Sequence, residues 1–269
     1  MQKVIDISEH NGQFDFKILK ESGINRVIIR LGWIGNRHNH TKDKLLEYYY
    51  NQAIKNNMIV GFYIYSYCES IENLKEGLDF SVSLLSNLKV PITTPVFLDL
   101  EDEQISKLSK SDLTEQALYF CDYLTVRGYK PGIYANKYWF TKKLNINELN
   151  CKIWLAEWNT KKPTVNFKYD LWQYTDCEKI HNKLFDCSYI DINEEDKKEG
   201  EFEMKLYENG STTEIVYQDI NCTKQIGYLH PREKAQCYGI IEGKALIVYN
   251  IDNTDNKKSG FVKWLGGVK

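Results

Sequence analysis

This sequence lacks a charge bias, a long apolar run and a cysteine framework, and each shortage closes off a class of protein. Its 35 Lys and Arg stand against 37 Asp and Glu, a formal net charge of −2. It therefore projects no general basic field toward nucleic acid or an anionic membrane. No apolar stretch approaches the roughly 20 residues of a spanning helix. Five Pro and 16 Gly are too few for a collagen-like or low-complexity chain. The seven Cys (Cys68, Cys121, Cys151, Cys177, Cys187, Cys222 and Cys237) are odd in number, sparse and without a C-x-x-C pair. They suggest neither a disulfide framework nor a zinc cluster, and free thiols are expected. No phosphate-cradling glycine loop, dinucleotide fingerprint or serine nucleophile elbow is present, so no cofactor is implied. No metal is implied either, because His38-Asn39-His40 has no nearby Cys or carboxylate partner and reads as a polar loop. Met1-Gln2-Lys3-Val4-Ile5-Asp6 enters a strand at once, without the charged segment and apolar core of a signal peptide. The expectation is synthesis in a host cytoplasm and, for a target outside the cell, release by some other agent.

What is present is a globular composition, 42% hydrophobic and 27% charged over 269 residues, enough for one large domain or two ordinary ones. Aromatics are plentiful, with 19 Tyr and 6 Trp. Most serve core packing, but flat faces are also what a carbohydrate site stacks on sugar rings.

Short apolar runs rich in β-branched residues recur along the first 190 residues. They are Val4–Ile7, Arg26–Arg30, Ile59–Tyr65, Pro95–Glu101, Gly132–Tyr134, Lys152–Ala156, Tyr169–Tyr174 and Tyr189–Ile192. Helical patterns fill the gaps at Phe16–Ser22, Lys44–Asn56, Glu72–Leu88 and Lys110–Arg127, the last with Ser111 as N-cap and Gly128 as stop. Near-continuous apolar strands alternating with helices imply a parallel sheet, and eight of them an α/β fold of irregular TIM-like (β/α) barrel type. Helices after the later strands look short or missing, so the barrel is expected to be lopsided. The charged stretch from Asn193 to Glu201 reads as an exposed linker. Beyond it, turn residues separate six short alternating strands, Glu203–Tyr207, Glu214–Tyr217, Gln225–Leu229, Ala235–Ile241, Lys244–Tyr249 and Gly260–Leu265, which suits a small all-β barrel. The expected division is a barrel over residues 1–195, a linker over 196–202 and an all-β module over 203–269.

Ionisable residues gather where barrel strands finish, the end at which the loops build a site. Asp6 ends the first strand, Arg30 the second and Tyr65 the third; Asp99 and Glu101 end the fourth and Asp191 the last. Strand alternation puts Asp99 and Glu101 on one face, where burial and mutual repulsion raise at least one pKa. A carboxylic acid still protonated near neutral pH can protonate a glycosidic oxygen. Charges at the end of so apolar a strand as Pro95–Leu98 need a reason. Tyr63, Tyr65, Tyr134, Trp154, Trp158 and Trp172 fall at or just past strand ends. Around a carboxylate mouth they look like a polysaccharide groove.

These residues resemble the glycoside hydrolase family 25 lysozymes, N-acetylmuramidases common among phage endolysins. The resemblance rests on Val4-Ile5-Asp6-Ile7-Ser8-Glu9-His10-Asn11-Gly12, Gly61-Phe62-Tyr63-Ile64-Tyr65, Phe97-Leu98-Asp99-Leu100-Glu101, Gly132-Ile133-Tyr134, Ile153-Trp154-Leu155-Ala156, Leu171-Trp172-Gln173-Tyr174 and Tyr189-Ile190-Asp191-Ile192-Asn193, in order. It implies a peptidoglycan hydrolase that cuts between N-acetylmuramic acid and N-acetylglucosamine, with Glu101 as general acid. Asp99 would orient the substrate's own 2-acetamido group as nucleophile, and Asp6 and Asp191 would complete an acidic floor. An inverting route with Asp191 as base stays open. Arg30, Tyr63, Tyr65, Tyr134, Trp154 and Trp172 would bind the glycan. The C-terminal module resembles the bacterial SH3-like domains of wall hydrolases and would hold a wall ligand of a Gram-positive host. A non-catalytic wall-binding lectin and a glycosidase of another N-acetylated polymer are the rival readings; oligomeric state is not legible. Met204, after Lys198-Glu199-Gly200-Glu201, is a candidate internal start for a free copy of the C-terminal module.

Overall fold

The computed structural model describes residues 1–35, 39–91, 94–190, 205–219, 221–241, 243–250 and 257–269. The chain divides into two units, the larger drawn from residues 1–197 and the smaller mainly from 198–269.

The larger unit opens on β1 (Gln2–Ile7), α1 (Lys17–Glu21) and β2 (Arg26–Ile34), followed by the two-residue β3 (Thr41–Lys42) and α2 (Leu46–Lys55). Next come β4 (Ile59–Ser66), α3 (Ile71–Asn87), β5 (Pro95–Asp99), α4 (Lys110–Thr125), β6 (Lys130–Asn136), β7 (Lys152–Ala156), β8 (Leu171–Ile180) and β9 (Lys183–Ile190). The sheet order is β1-β9-β8-β7-β6-β5-β4-β2-β3, and an additional β1–β2 pairing closes eight of the strands into a barrel. Neighbours are parallel from β1 through β2 and β4 to β8, whereas β9 runs antiparallel to both β8 and β1. Closure leaves no open edge among these eight strands.

The four helices pack where periodicity placed them. Ser70 caps α3 by accepting from the Asn73 N–H at 3.2 Å, and the helix buries Leu74, Gly77, Leu78, Ser81, Leu84 and Leu85 along one stripe. For α4 the cap is Ser109 rather than Ser111: its hydroxyl accepts from the Asp112 N–H at 3.1 Å. After β6 only single turns at Trp139–Lys143 and Ile146–Glu148 remain, and a tight hairpin joins β8 to β9. The barrel is lopsided as the late sequence suggested.

The interior repeats one pattern on four of the strands, β1, β2, β5 and β8. Val4, Ile28, Phe97, Trp154, Leu171 and Ile190 form an apolar floor. Two residues farther toward the mouth, Val4 gives way to Asp6, Ile28 to Arg30, Phe97 to Asp99 and Leu171 to Gln173. The pleat thus stacks a polar layer directly on a dry one.

The smaller unit holds β10 (Lys205–Glu208), β11 (Glu214–Tyr217), β12 (Gln225–Leu229), β13 (Lys234–Ile241), β14 (Lys244–Asn250) and β15 (Lys257–Val262). They form one antiparallel sheet in the order β10-β13-β14-β15-β11-β12. Tyr207, Val216, Leu229, Ala235, Cys237, Ala245, Ile247, Tyr249 and Val262 fill its core. The last strand starts earlier than its sequence pattern suggested, because β14 pairs with it from Asn250↔Lys257 to Ala245↔Val262. Among the described residues no helix is long and apolar enough to cross a membrane.

Candidate active site

The polar layer opens into a cleft of about 450 Å³ at the mouth of the barrel. Asp6, Arg30, Tyr63, Tyr65, Asp99, Glu101, Tyr134 and Trp154, all expected at a site, line it. So do Ser8, His10, Asn11, Trp33, Tyr67, Gln173, Asp176, Leu184 and Asp186.

β5 ends at Asp99, yet the alternation carries on: the Leu100 N–H donates to the Tyr134 carbonyl at 3.0 Å, Leu100 is buried, and Glu101 returns to the cleft. Asp99 is buried, and its Oδ1 has no hydrogen-bond partner. Burial pushes its pKa well up, the charges of Glu101 and Asp6 push further, and Arg30 opposes them. Glu101 keeps an open side toward the mouth but is crowded by protein on the rest. Burial raises its pKa, the charges of Asp186 and Asp102 add to that, and the Tyr134 hydroxyl, within hydrogen-bonding reach, pulls the other way whenever it donates to the carboxylate.

Arg30 is held at a β-bulge beside Gly32. Gly32 has φ +152°, and a Cβ there would lie 2.0 Å from the Thr41 carbonyl oxygen, so the position excludes other side chains. The Arg30 Nε donates to Asp43 Oδ2 at 2.8 Å, both side chains being buried. Its Nη2 is buried with no hydrogen-bond partner. Two cleft-lining side chains thus carry a buried acceptor, Asp99 Oδ1, and a buried donor, Arg30 Nη2, without a hydrogen-bond partner, an arrangement costly to leave unmet.

A further carboxylate of the cleft is Asp186. It faces Asp6 directly across the β1–β9 ladder and shares a side-chain hydrogen bond with it. Burial raises the Asp6 pKa well above its usual range, and the Asp186 charge adds to this. Asp186 itself is pushed up to about 6, chiefly by burial. The sequence reading had put a fourth acid at Asp191, which lies outside the described residues. Because β9 is antiparallel, its Asp186 pairs with Asp6, and Ile190 pairs with Gln2 at the start of β1.

The aromatics divide. Trp154 forms the floor, with its ring centroid 4.5 Å from Tyr134 and 5.2 Å from Phe97, and its indole N–H donates to Ser188 Oγ at 2.9 Å. Being buried, it has no open face for a sugar. Trp172 is not among the lining residues. Its indole N–H donates to the Glu157 carbonyl at 2.8 Å and its ring packs against Tyr174 and Tyr189, so it anchors the loop after β7. Half-buried Trp33, Tyr65 and Tyr67 keep faces toward the cleft; Tyr65 and Tyr67 lie 4.8 Å apart and Arg30 stacks 5.0 Å over Trp33. Among the described residues no group of three or more His, Cys, Asp or Glu is arranged to hold a metal ion.

A cluster of raised-pKa carboxylates at a barrel mouth suits acid catalysis on a glycan, and comparison with known proteins supplies the family. The profile of glycosyl hydrolases family 25 matches residues 5–183, most of the barrel. The chain belongs to glycosyl hydrolase family 25. Within family 25 it is similar to the autolytic lysozyme of Clostridium acetobutylicum, 27% identical over 180 residues, 66% of this chain and 52% of that protein. The chain spans about half the length of that relative. In fold it is similar to the CTP1L endolysin, with TM-score 0.63 at 24% identity over 74% of this chain and 69% of that one. The catalytic domain of endolysin ply40, from a bacteriophage of Listeria monocytogenes, is similar at TM-score 0.60 and 22% identity, over 74% of this chain and 98% of that domain.

Proposed function

We propose that this chain is a lysozyme that hydrolyses the β-1,4 bond between N-acetylmuramic acid and N-acetylglucosamine in bacterial peptidoglycan. The observation that carries this is the pair at the end of β5, an acid of raised pKa facing the mouth beside a buried carboxylate with an unsatisfied oxygen. Glu101 gives its proton to the glycosidic oxygen as the C1–O bond breaks. Asp99 Oδ1 accepts the N–H of the substrate's 2-acetamido group and aims its carbonyl oxygen at C1, forming a cyclic oxazolinium. Water then opens the ring, returning its proton to Glu101, with net retention. Arg30 Nη2 and the open rings of Trp33, Tyr65 and Tyr67 bind neighbouring sugars.

The smaller sheet serves as an SH3-like module that recognises a wall ligand of a Gram-positive host. Holding the barrel on its insoluble substrate raises local concentration without altering the chemistry. The enzyme acts on the wall after release from the cell that makes it, in the manner of a phage endolysin. The CTP1L endolysin is described as regulated by a secondary translation product. For this chain we extend the idea to an internal start at Met204, which lies outside the described residues. A Met204→Ala gene that still yields a short C-terminal band refutes it.

Product analysis tests the bond. Borohydride reduction of digested peptidoglycan followed by mass spectrometry is expected to find reduced muramic acid at the new ends. Reduced glucosamine would mean the other glycosidic bond is cut, and no new ends would leave a wall-binding lectin.

A further inference from the structure

One buried amide in the cleft has no place in the proton transfer above, yet it touches both halves of the acid cluster. Gln173, on β8, is buried at the mouth. Its Oε1 accepts the Tyr134 hydroxyl at 2.9 Å and the Trp158 indole N–H at 3.1 Å, while its Nε2 donates to Asp6 Oδ2 at 3.1 Å. An indole N–H can only donate, so Trp158 fixes which end of the amide faces Tyr134. The loop carrying Trp158 is itself tied down: the Glu157 N–H donates to the Gln173 carbonyl at 3.1 Å, and Trp172 holds the Glu157 carbonyl.

A phenol has a single proton. The Tyr134 hydroxyl is within hydrogen-bonding reach of both Glu101, whose pKa falls when it donates there, and Gln173; while it gives its proton to Gln173, the phenol oxygen can meet the Glu101 carboxyl only as an acceptor, the arrangement a protonated acid requires. With Gln173 removed, the same hydroxyl is free to turn and donate to a Glu101 carboxylate, which favours the ionised form. We propose that Gln173, oriented by Trp158, is a positioning residue that keeps the Tyr134 hydroxyl turned away from Glu101, so that Glu101 retains the proton it delivers. At its other end the Gln173 amide N–H holds Asp6 Oδ2 as an acceptor and steers the proton of the Asp6–Asp186 pair to the opposite oxygens. A single side chain thus sets the direction of the chain from Glu101 through Tyr134 and Gln173 to Asp6.

The charged and titratable groups around Glu101 are Asp6 on β1, Tyr65 on β4, Asp99 on β5, Asp102 on its own loop, Tyr134 on β6 and Asp186 on β9. Arg30 acts on Asp99 from β2, and His10 and Asp176 share the cleft. None of them changes in the variants below.

The inference rests on Glu101 being the acid, so its test needs one readout that does not depend on activity. Carbon-13 NMR titration of the glutamate side-chain carboxyls, with Glu101→Gln assigning the resonance, gives the Glu101 midpoint directly. In Gln173→Met, close in shape but unable to accept or to donate an N–H, the midpoint is expected to fall by about one pH unit. The alkaline limb of the kcat profile on wall fragments is expected to move with it, with the low-pH plateau retained. Trp158→Phe removes only the orienting donor from a half-exposed position, so it folds even if Gln173→Met does not, and is expected to move both in the same direction by less. A midpoint unmoved or raised in the folded variants, or a uniform loss of rate at every pH, overturns the proposal. A wild-type protein that cuts no wall while the midpoint still shifts instead overturns the reading of the enzyme and leaves the hydrogen-bond relay standing.

Discussion

Asp6 and Asp186 lie opposite each other across the β1–β9 ladder and share a hydrogen bond inside the barrel mouth. Two carboxylates in that position hold a proton between them, because both cannot ionise cheaply at such range. The Asp186 charge is also the largest neighbouring charge acting on Glu101. Asp186→Asn is therefore expected to lower the Glu101 pKa and bring the alkaline limb of wall hydrolysis down. At neutral pH the loss should be roughly tenfold for each pH unit moved. An unmoved alkaline limb would show that the pair is electrically isolated from the acid.

The same cluster sets a pH dependence of stability. Asp6, Asp99, Glu101 and Asp186 all have raised pKa values in the folded chain, so the native state binds more protons than the unfolded one. Stability is then fully present below the unfolded carboxylate range, near 4, and is lost as pH rises through the folded values, about 6 for Asp186. The Tm of the barrel unit is expected to be higher at pH 5 than at pH 8, and Asp6→Asn to flatten that slope. A Tm that rises between those pH values contradicts the assignment.

Arg30 and Asp43 make a buried ion pair, and Asp43 also accepts the Glu9 and Leu45 N–H groups at 3.0 and 2.9 Å. Asp43→Ala leaves the guanidinium and two amides without their acceptor. The expected destabilisation is about 3–5 kcal/mol in denaturant unfolding; less than about 1 kcal/mol would mean that water replaces the carboxylate at no loss.

The two classes of aromatic separate kinetically. Tyr65 shows a face to the cleft, whereas Trp172 does not line it. Tyr65→Ala is expected to raise KM for wall fragments several-fold, in keeping with the loss of one ring contact worth about 1 kcal/mol. Trp172→Phe should leave KM unchanged and lower thermal stability through the lost Glu157 hydrogen bond. The reverse pattern would restore Trp172 to the binding surface.

Most of the barrel was legible because its strands are buried on both faces and read as apolar runs, from Val4–Ile7 to the strand holding Trp172. Asp6, Arg30, Asp99 and Glu101 were legible for the same reason, as charges at the ends of such runs. β9 was not. Lys183-Leu184-Phe185-Asp186-Cys187-Ser188-Tyr189-Ile190 mixes charge with apolar residues, and its hairpin turns at His181, φ +52°, without the Asn-Gly or Asp-Gly pair that flags a tight turn. Reading the last strand as parallel drew attention to its end and left Asp186 unmarked, whereas the antiparallel strand sets Asp186 beside Asp6. Asp43 gave no signal, and Gln173 stood out only as part of the Leu171-Trp172-Gln173-Tyr174 strand, since the role of a buried polar residue is recognised only by the partner it meets. One sign was available for Asp186: on an inward face alternating with Ser188 and Ile190, an acid next to Phe185 has no solvent to justify it.

The central claim is that Glu101 is the acid of a wall hydrolase. Its most direct test is the clearing of purified Gram-positive cell walls by the wild-type chain and by Glu101→Gln, with wall binding measured on the same samples. Loss of roughly two to four orders of magnitude in clearing rate, with binding retained, is the expected result. Equal clearing by both proteins would contradict it and move the acid elsewhere in the cleft.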